Sequence, residues 1–283
     1  MVGRNRVNEI VYHVLVSIGA LIMVYPLLWM VLSSFKPTDM VLPTADRLIP
    51  TTWTLDNYTR GWKGFMGYSF GTFFANSFFI SLVSTFGTLL SSAFVAYALQ
   101  RLKFRMRKLL FVLVLSTMML PAQILMIPQF MWYRHLNWVG TYYPMILPYF
   151  FAIQGFFVYL IMNFISGIPK SLDEAAILDG ASNSTVFWKI ILPNAKPVIA
   201  TTAINAFINP IVDYIFVSVI MKDNYNNFTV AKGLYTMVDK TNIYEYYTVF
   251  CAGAVIVAIP VVLLFLRVQK YYVAGVVGGS VKG

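Results

Sequence analysis

The sequence predicts an all-α integral membrane protein, a bundle of six membrane-spanning helices. Of its 283 residues, 59% are hydrophobic and only 11% are charged, and the mean hydropathy is +0.70. These values lie outside the usual range of a soluble domain. A spanning helix needs about 20 mostly apolar residues. Six segments meet that requirement, at residues 10–33, 71–99, 108–131, 143–166, 198–221 and 247–269.

The lysines and arginines divide by membrane side once these six spans are threaded through a bilayer. Thirteen of the 21 fall on the side of the two termini, and the densest group is the short loop RLKFRMRK at residues 101–108. Short basic loops face the cytoplasm. We therefore expect both termini to be cytoplasmic. The net charge of +10 then reflects topology, and no nucleic-acid partner is expected.

The chain is predicted to form a single transmembrane domain over residues 1–283, because no internal repeat or second composition regime is visible. The apolar stretch 10–32 is too long for the core of a signal peptide and is interpreted as a retained first span. Cys251 is the only cysteine, so an internal disulfide is excluded. In the outer loop 34–70, a short surface helix is predicted to begin near Leu55–Tyr58.

The longest inner loop, residues 168–197, has the sequence IPKSLDEAAILDGASNSTVFWKIILPNAKP. Ser171 and Glu174 have the spacing of a capping box, which predicts a helix start. The helix is expected to stop at Gly180, a residue that favours the C-cap conformation.

A second short helix in this loop is predicted to begin near Asn183 or Ser184 and to end before Pro193. The first helix presents four apolar residues on an element only two turns long, Ala175, Ala176, Ile177 and Leu178. Two interpretations stay open. This surface lies against the inner ends of the protein's own spans, or it docks into a groove on a soluble partner.

The 168–197 loop resembles the EAA loop of binding-protein-dependent ABC importer permeases. The matching positions are Glu174-Ala175-Ala176, Asp179-Gly180-Ala181, Phe187, Ile190, Leu192-Pro193 and Pro197. In that family the loop is the coupling helix, which sits in a cleft of the ATPase subunit. The resemblance implies that the contact residues here are Glu174, Ala175, Ala176, Asp179 and Gly180.

Other motifs resemble those of carbohydrate importer permeases, especially the shorter permease of the maltose transporter and its oligosaccharide relatives. They are Phe35-Lys36-Pro37, Leu55-Asp56-Asn57-Tyr58, the stretch from Met119-Leu120-Pro121 to Ile127-Pro128, and the terminal run 278–283. The resemblance implies import of a carbohydrate, an oligosaccharide, through a prokaryotic plasma membrane by alternating access. The implied partners are ATP-binding-cassette ATPase subunits, a second permease subunit and an extracytoplasmic solute-binding protein.

This chain itself is not expected to be an enzyme or to bind a cofactor. It contains no G-x-x-x-x-G-K-[ST] phosphate-binding loop, so ATP and Mg²⁺ would be bound by the partner ATPase. His13 and His135 are the only histidines and stand far apart in sequence. Neither has the neighbours of a metal site, and no metal is predicted.

Polar residues in the apolar segments mark a candidate solute pathway. Asn205, Asn209 and Asp213 recur at four-residue intervals, which places them along one face of the fifth span. An ionisable residue in mid-span costs about 2.5–3.5 kcal/mol, so Asp213 should face a cavity or a partner. Pro210 should also free the carbonyl of Ala206 and bend the helix.

The same stripe could instead hydrogen-bond a neighbouring helix, as polar residues in membrane bundles do. Gln123, together with Gln129 and Asn163, is a further pathway candidate. Many sugar permeases carry a Trp-Asn-Asp/Glu-Phe type of run in the fifth span, whereas residues 208–214 here read INPIVDY. We therefore do not assign the substrate-contacting residues of the family to individual positions in this sequence.

Two alternative functions remain, an ABC permease for another solute and an ion-coupled secondary transporter. Ion-coupled carriers usually place several charged residues in mid-span and show repeated halves. Here only Asp213 is clearly placed in mid-span, and no repeat is visible. The 168–197 loop is the feature that favours the ATP-driven importer.

Overall fold

The computed structural model describes residues 6–40, 43–64, 67–222, 224–239 and 243–280, and within these ranges the chain is helical apart from turns, loops and one bridge residue. The all-α prediction is confirmed. The α-helices are α1 (Arg6–Ser33), α2 (Asp56–Lys63), α3 (Phe70–Arg101), α4 (Arg107–Met119), α5 (Ala122–His135), α6 (Tyr143–Ile146), α7 (Gly155–Ser166), α8 (Lys170–Leu178), α9 (Asn183–Val186), α10 (Leu192–Asn194), α11 (Lys196–Val212), α12 (Ile215–Met221), α13 (Val230–Asp239) and α14 (Ile243–Ser280). Arg4, Lys240, Lys282 and the last three residues of the terminal run lie outside the described residues.

Four stretches of the described residues are long and apolar enough to cross a membrane, namely Asn8–Ser33, Phe70–Arg101, Tyr143–Ser166 and Tyr246–Arg267. They correspond to four of the predicted spans. Two helix pairs also qualify when taken together, but each is bent, α4–α5 by 104° and α11–α12 by 56°. The number of spans reaches the predicted six if each bent pair counts as one.

The two bends interrupt the predicted spans 108–131 and 198–221, and a bend was expected only in the second. Leu120 is extended, with φ −84° and ψ 122°, because the ring of Pro121 disfavours the helical conformation in the residue before it. Pro210 lies inside α11, as predicted, but the helix breaks three residues later. There Asp213 is extended, with φ −75° and ψ 103°.

The predicted span 143–166 is also irregular. α6 passes into a 3₁₀ segment, Leu147–Phe151, and Ala152 adopts a left-handed conformation with φ 52° before α7 begins at Gly155. Pro148 in the second position of that segment has no N–H to continue an α-helix. The irregular turn places the side chain of Gln154 just before α7.

The described chain forms two compact units, one from residues 1–70 and 234–259 and the other from residues 71–233 and 260–283. Helices α13 and α14 each continue from one unit into the other. The predicted functional residues all belong to the second unit. The single transmembrane domain expected over the whole chain stays a prediction.

In the first unit, the loop between α1 and α2 is organised around Lys36, whose side chain is buried. Its Nζ donates hydrogen bonds to the carbonyl oxygens of Thr44 at 2.8 Å and Arg47 at 2.7 Å. Burial lowers the pKa of Lys36, and the Asp46 carboxylate opposes that shift. Helix α2 follows, which confirms the predicted surface helix, and Asn57 Nδ2 ties it back to Lys36 O at 2.7 Å.

In the second unit, α3 carries a stripe of small buried residues, Ser77, Ser81, Ser84, Thr88 and Ser92. Small side chains let neighbouring helices approach closely in a membrane protein. At Gly87, a Cβ atom would lie 2.7 Å from the Phe150 ring, and Ser91 Oγ donates to Tyr149 O at 2.9 Å. α3 is therefore the helix against which the irregular 147–154 segment packs.

Large apolar side chains cover much of the outside of the chain. In the most hydrophobic 18-residue window of Asn8–Ser33, none of the residues is buried, and Met23 is 80% exposed. Soluble monomers rarely expose contiguous apolar surface of this size. This surface is suited to lipid or to another apolar subunit.

Candidate functional site

The first helix of the 168–197 loop, α8, begins one residue before the predicted capping box. Pro169 occupies the N-cap position with no side-chain hydrogen bond, and helical residues start at Lys170. Ser171 is thus already the second helical residue, where its hydroxyl cannot take the N-cap role. The predicted capping box is wrong because the helix continues back to the proline.

The end of α8 agrees with the prediction. Gly180 has φ +85°, a conformation that glycine adopts without a Cβ clash. Its N–H donates to Ile177 O at 3.0 Å, and Ala181 N–H donates to Ala176 O at 2.9 Å. These two bonds form a Schellman motif, which caps the last carbonyls of the helix.

The second helix begins as predicted and ends later than predicted. Ser182 is the N-cap of α9, and its Oγ accepts a hydrogen bond from Thr185 N at 3.2 Å. The chain then continues through a π-helical segment, Phe187–Ile191, into α10. The prediction that the helix ends before Pro193 is wrong. Pro193 lies in the first turn of α10, where a missing N–H is tolerated.

Three polar contacts fasten this loop to the end of α3. Arg101 Nε lies 2.8 Å from Asp173 Oδ2, and these side chains are only 5% and 12% exposed. Arg101 Nη2 also donates to Ile168 O at 2.6 Å. Tyr97 OH donates to Asn183 O at 3.1 Å, so α3 bonds to both short helices.

The burial of the ion pair changes the pKa of the Asp173 carboxyl group. Burial raises the pKa of Asp173, while the Arg101 guanidinium and the Lys170 ammonium oppose the shift and the Glu174 carboxylate adds to it. Asp173 Oδ1 has no hydrogen-bond partner among the described residues. The pair therefore depends on its one close contact.

An aromatic cluster completes the attachment. The ring of Phe187 is stacked on Phe94 at 4.8 Å between centroids and lies 5.2 Å from the ring of Tyr97. Phe187 is buried in a hydrophobic cluster that includes Ile161 and Ile165 of α7. The inner face of the loop is thus fixed to α3 and α7.

The face of α8 that points away from α3 and α7 is not covered by other residues of the described chain. Leu178 is 88% exposed and Ile177 is 52% exposed. Of the five predicted contact residues, Glu174, Ala175, Asp179 and Gly180 are exposed, whereas Ala176 is half-buried against the hydrophobic cluster. Ala176 thus lies against the protein's own helices, whereas Ile177 and Leu178 form an exposed apolar tip. Docking of this tip on a partner stays a prediction.

A cavity of about 530 Å³ lies in the same unit, between the bent pairs and the irregular segment before α7. The lining residues come from α4, α5, α6, the 147–154 segment, α11 and α12. Its polar lining includes Gln123, Gln129, Tyr149, Gln154, Asn209 and Asp213. The volume is within the range of about 300–1,000 Å³ typical of small-molecule sites.

The structure brings three of the four predicted pathway residues together and leaves one out. Gln123, Asn209 and Asp213 line the cavity. Asp213 Oδ1 also accepts a hydrogen bond from Phe216 N at 3.1 Å. Asn205 is not among the lining residues, and its Nδ2 donates to Thr201 O within α11 at 2.9 Å.

Sequence reasoning missed Gln154, which lines the cavity. Its Oε1 is buried without a hydrogen-bond partner in the described residues. An amide side chain within the apolar segment 143–166 was the available signal, and Asn163 is the other amide there. Asn163, in contrast, is exposed. In the described parts of the chain, no group of three His, Cys, Asp or Glu side chains could hold a metal ion.

The family of binding-protein-dependent transport system inner membrane components matches residues 87–277, a range that includes the 168–197 loop and the cavity. The chain belongs to this family. The predicted family resemblance is confirmed, and the chain is the permease subunit of an ABC importer in the inner membrane. Subunits of this kind transport solutes and are not enzymes.

The sequence similarity to known permeases extends over nearly the whole chain. The galactooligosaccharides transport system permease protein GanQ of Bacillus subtilis is 34% identical, with 99% of this chain and 98% of that protein covered. The trehalose/maltose transport system permease protein MalG of Thermococcus litoralis is 32% identical, with 98% and 99% covered.

A solved structure gives the same picture of the fold. The crystal structure of a bacterial ABC transporter that imports the acidic polysaccharide alginate contains a chain with a TM-score of 0.80 and 26% identity. The match covers 94% of this permease and 97% of that chain. The all-helical architecture is thus shared over nearly the full length of both.

Proposed function

We propose that the permease imports an oligosaccharide by alternating access. The import is driven by ATPase subunits, which are separate polypeptides and bind the 168–197 loop. The observation that carries this proposal is the apolar tip of Ile177 and Leu178, exposed on a helix whose opposite face is fixed to α3 and α7. A rigidly attached and uncovered apolar tip is suited to a groove on a partner. ATP and Mg²⁺ are bound by that partner.

The contact with the ATPase is formed by Glu174, Ala175, Ala176, Asp179 and Gly180. Closure of the ATPases on their nucleotide pushes this surface, and the ion pair of Arg101 with Asp173 transmits the displacement to α3. Both chain termini and the loop are cytoplasmic. A second permease subunit completes the solute path, and an external solute-binding protein delivers the solute.

The solute passes through the cavity lined by Gln123, Asn209 and Asp213. The names of the relatives support an oligosaccharide, since those proteins transport galactooligosaccharides and trehalose or maltose. Amide and carboxyl groups in a small cavity are suitable partners for sugar hydroxyls. Asn205 has a packing role inside α11.

The coupling role is tested with the complete importer, reconstituted with its binding protein in liposomes. Leu178→Asp and Gly180→Asp should abolish ATP-linked uptake while the subunit stays inserted in the membrane. A bulky residue in place of Ala176, combined with a substitution of Glu174, should have the same effect. Ser184→Asp is the matched control, because it adds the same charge to an exposed position away from the tip. Normal uptake by the first two variants would refute the coupling role.

The cytoplasmic position of the loop has its own test. Cys251 is the only cysteine and is buried, so a Ser184→Cys variant gives one accessible thiol. A membrane-impermeant maleimide should label it in inside-out vesicles and leave it unlabelled in right-side-out vesicles. The reverse pattern would contradict the proposed topology.

A further inference from the structure

The cavity in the second unit is lined by one acidic side chain and by no basic side chain. All of its lining residues lie between positions 117 and 216, a fully described range, and none of them is Lys, Arg or His. Its one acidic residue is Asp213. A solute in this cavity therefore meets no positive side chain from this permease.

The lining is rich in hydrogen-bond acceptors. Gln154 Oε1 is buried and has no partner in the described chain, and a carboxylate such as Asp213 can only accept. The amides of Gln123, Gln129 and Asn209 can each offer a carbonyl oxygen. Acceptors of this kind pair with hydroxyl groups, which donate.

Aromatic rings lie beside these polar groups. Tyr133 and Phe216 both line the cavity, and their ring centroids are 6.4 Å apart in an edge-to-face arrangement. An aromatic face provides apolar contact area for a rigid ring. A sugar ring, with C–H groups on its faces and hydroxyls at its edge, can use both the aromatic and the polar parts of the lining.

We infer that this cavity binds uncharged, polyhydroxylated sugar units and rejects uronates. The inference rests on the proposed function, of which it specifies the substrate class. A uronate carboxylate would lose its hydration without gaining a cation from this permease, which is costly in a buried site. The Asp213 carboxylate would also repel it. The selectivity is opposite to that needed for the acidic polysaccharide imported by the transporter of similar fold.

Direct binding to the importer complex tests the inference. The complex of permease subunits and ATPases, purified in detergent without the binding protein, is dialysed against maltotetraose and a galactose tetrasaccharide. Each is compared with its uronate counterpart, in which carboxylates replace the C6 hydroxymethyl groups. At least one neutral sugar should bind about tenfold or more tightly than its uronate counterpart, because the uronate loses hydration without compensation.

Variants assign the binding to this cavity. Gln154→Leu and Asn209→Leu should each weaken binding of the neutral sugar by about tenfold, because each removes a hydrogen-bond partner of a hydroxyl. Asn205→Leu, one helical turn from Asn209 and outside the cavity, is the matched control and should leave binding unchanged. Asp213→Asn should reduce the discrimination against the uronate, since it removes the repelling charge.

The outcomes separate the two proposals. Equal binding of a neutral sugar and its uronate counterpart overturns the inference, and so does unchanged binding in both leucine variants. Absence of binding together with ATP-linked sugar uptake by the same preparation also overturns it, while the proposed function stands. Absence of ATP-linked uptake of any sugar by an intact complex with its binding protein would overturn the proposed function itself.

Discussion

The guanidinium of Arg101 at the end of α3 and the carboxylate of Asp173 in α8 form an ion pair with an Nε–Oδ2 distance of 2.8 Å. The two residues are 72 positions apart in sequence, and both side chains are nearly buried. Removing one member of such a pair leaves an uncompensated buried charge. The loss of stability caused by substituting Arg101 or Asp173 therefore measures how strongly the 168–197 loop is attached to α3.

Asp173→Ala should lower the free energy of unfolding by about 3 kcal/mol, because it leaves the buried guanidinium without a counter-charge, with only its hydrogen bond to Ile168 O. Arg101→Met should cost less, since an orphaned carboxyl can take up a proton and an arginine cannot release one. Denaturant titration of the purified permease in detergent measures both. The exposed Asp179→Ala is the control, expected to change stability by less than about 0.5 kcal/mol. Equal losses in the two pair variants would contradict this account.

The pH dependence of the Arg101→Met variant follows from the same contact. Burial raises the pKa of Asp173, and Arg101 opposes that rise, so the rise should be larger in the variant. The folded state then binds more protons than the unfolded state. Stability is full below the ordinary carboxyl pKa of about 4 and falls as pH rises through the folded-state pKa. Titrations at several pH values should show a steeper fall than in the wild type, and Arg101→Met with Asp173→Asn should abolish it.

Tyr97→Phe should destabilise the permease by about 1 kcal/mol, because it removes the hydrogen bond to Asn183 O and keeps the ring against Phe187. Chemical unfolding in detergent is again the measurement. Tyr159→Phe on α7 is the control, since its hydroxyl makes no hydrogen bond within the described chain. If both variants had the same free energy of unfolding, the Tyr97 hydroxyl would not contribute to the attachment of the loop.

Gly155→Ala should destabilise the contact between α4 and α7. A Cβ there would lie 2.5 Å from Thr117 Oγ1 and 2.8 Å from Val114 O, and overpacking of this kind costs about 1–3 kcal/mol. At Gly167 the nearest atom is Phe164 O at 3.4 Å, so Gly167→Ala is the control at the other end of α7. Comparable thermal stabilities of the two variants in detergent would count against close packing at Gly155.

Gly180 allows backbone conformation to be separated from contact with the ATPase. An added Cβ meets nothing within 4 Å, so Gly180→Ala should cost only the strain of the left-handed conformation, about 1 kcal/mol. Asn tolerates that conformation better, and Gly180→Asn should be the more stable variant. If Asn is stable yet ATP-linked uptake is lost, the glycine is needed for its small size at the partner surface. An alanine variant as stable as the wild type would exclude backbone strain at this position.

The sequence predicted the features that depend on local patterns. Apolar segment length located the spans, and Gly180 and the residues around Asn183 located the boundary between α8 and α9. It could not give the pairing of Arg101 with Asp173, because contacts between residues distant in sequence leave no periodic signal. Arg101 was interpreted only as part of a basic topology loop, although its guanidinium is buried against α8.

The candidate cavity was predicted in part for a similar reason. Asn205, Asn209 and Asp213 have equivalent spacing on an ideal helix, and only the structure shows that Asn205 is satisfied within α11. The prolines at 121 and 210 were visible in the sequence, but the extent of each bend depends on packing. Gln154 faces the cavity because the 147–154 segment leaves the α-helical path, which residue spacing alone does not reveal.

The bend between α4 and α5 brings the ends of both helices to the wall of the cavity. The two helices have 13 and 14 residues, so each is about 20 Å long and too short to cross a bilayer core alone. At their junction, terminal carbonyl and N–H groups lack intrahelical partners, and in a membrane such groups must pair with other protein groups, with water or with a solute. Leu120 and Ala122 beside the junction line the cavity. Substitutions of the polar side chains that line the cavity would therefore leave these backbone hydrogen-bonding groups in place.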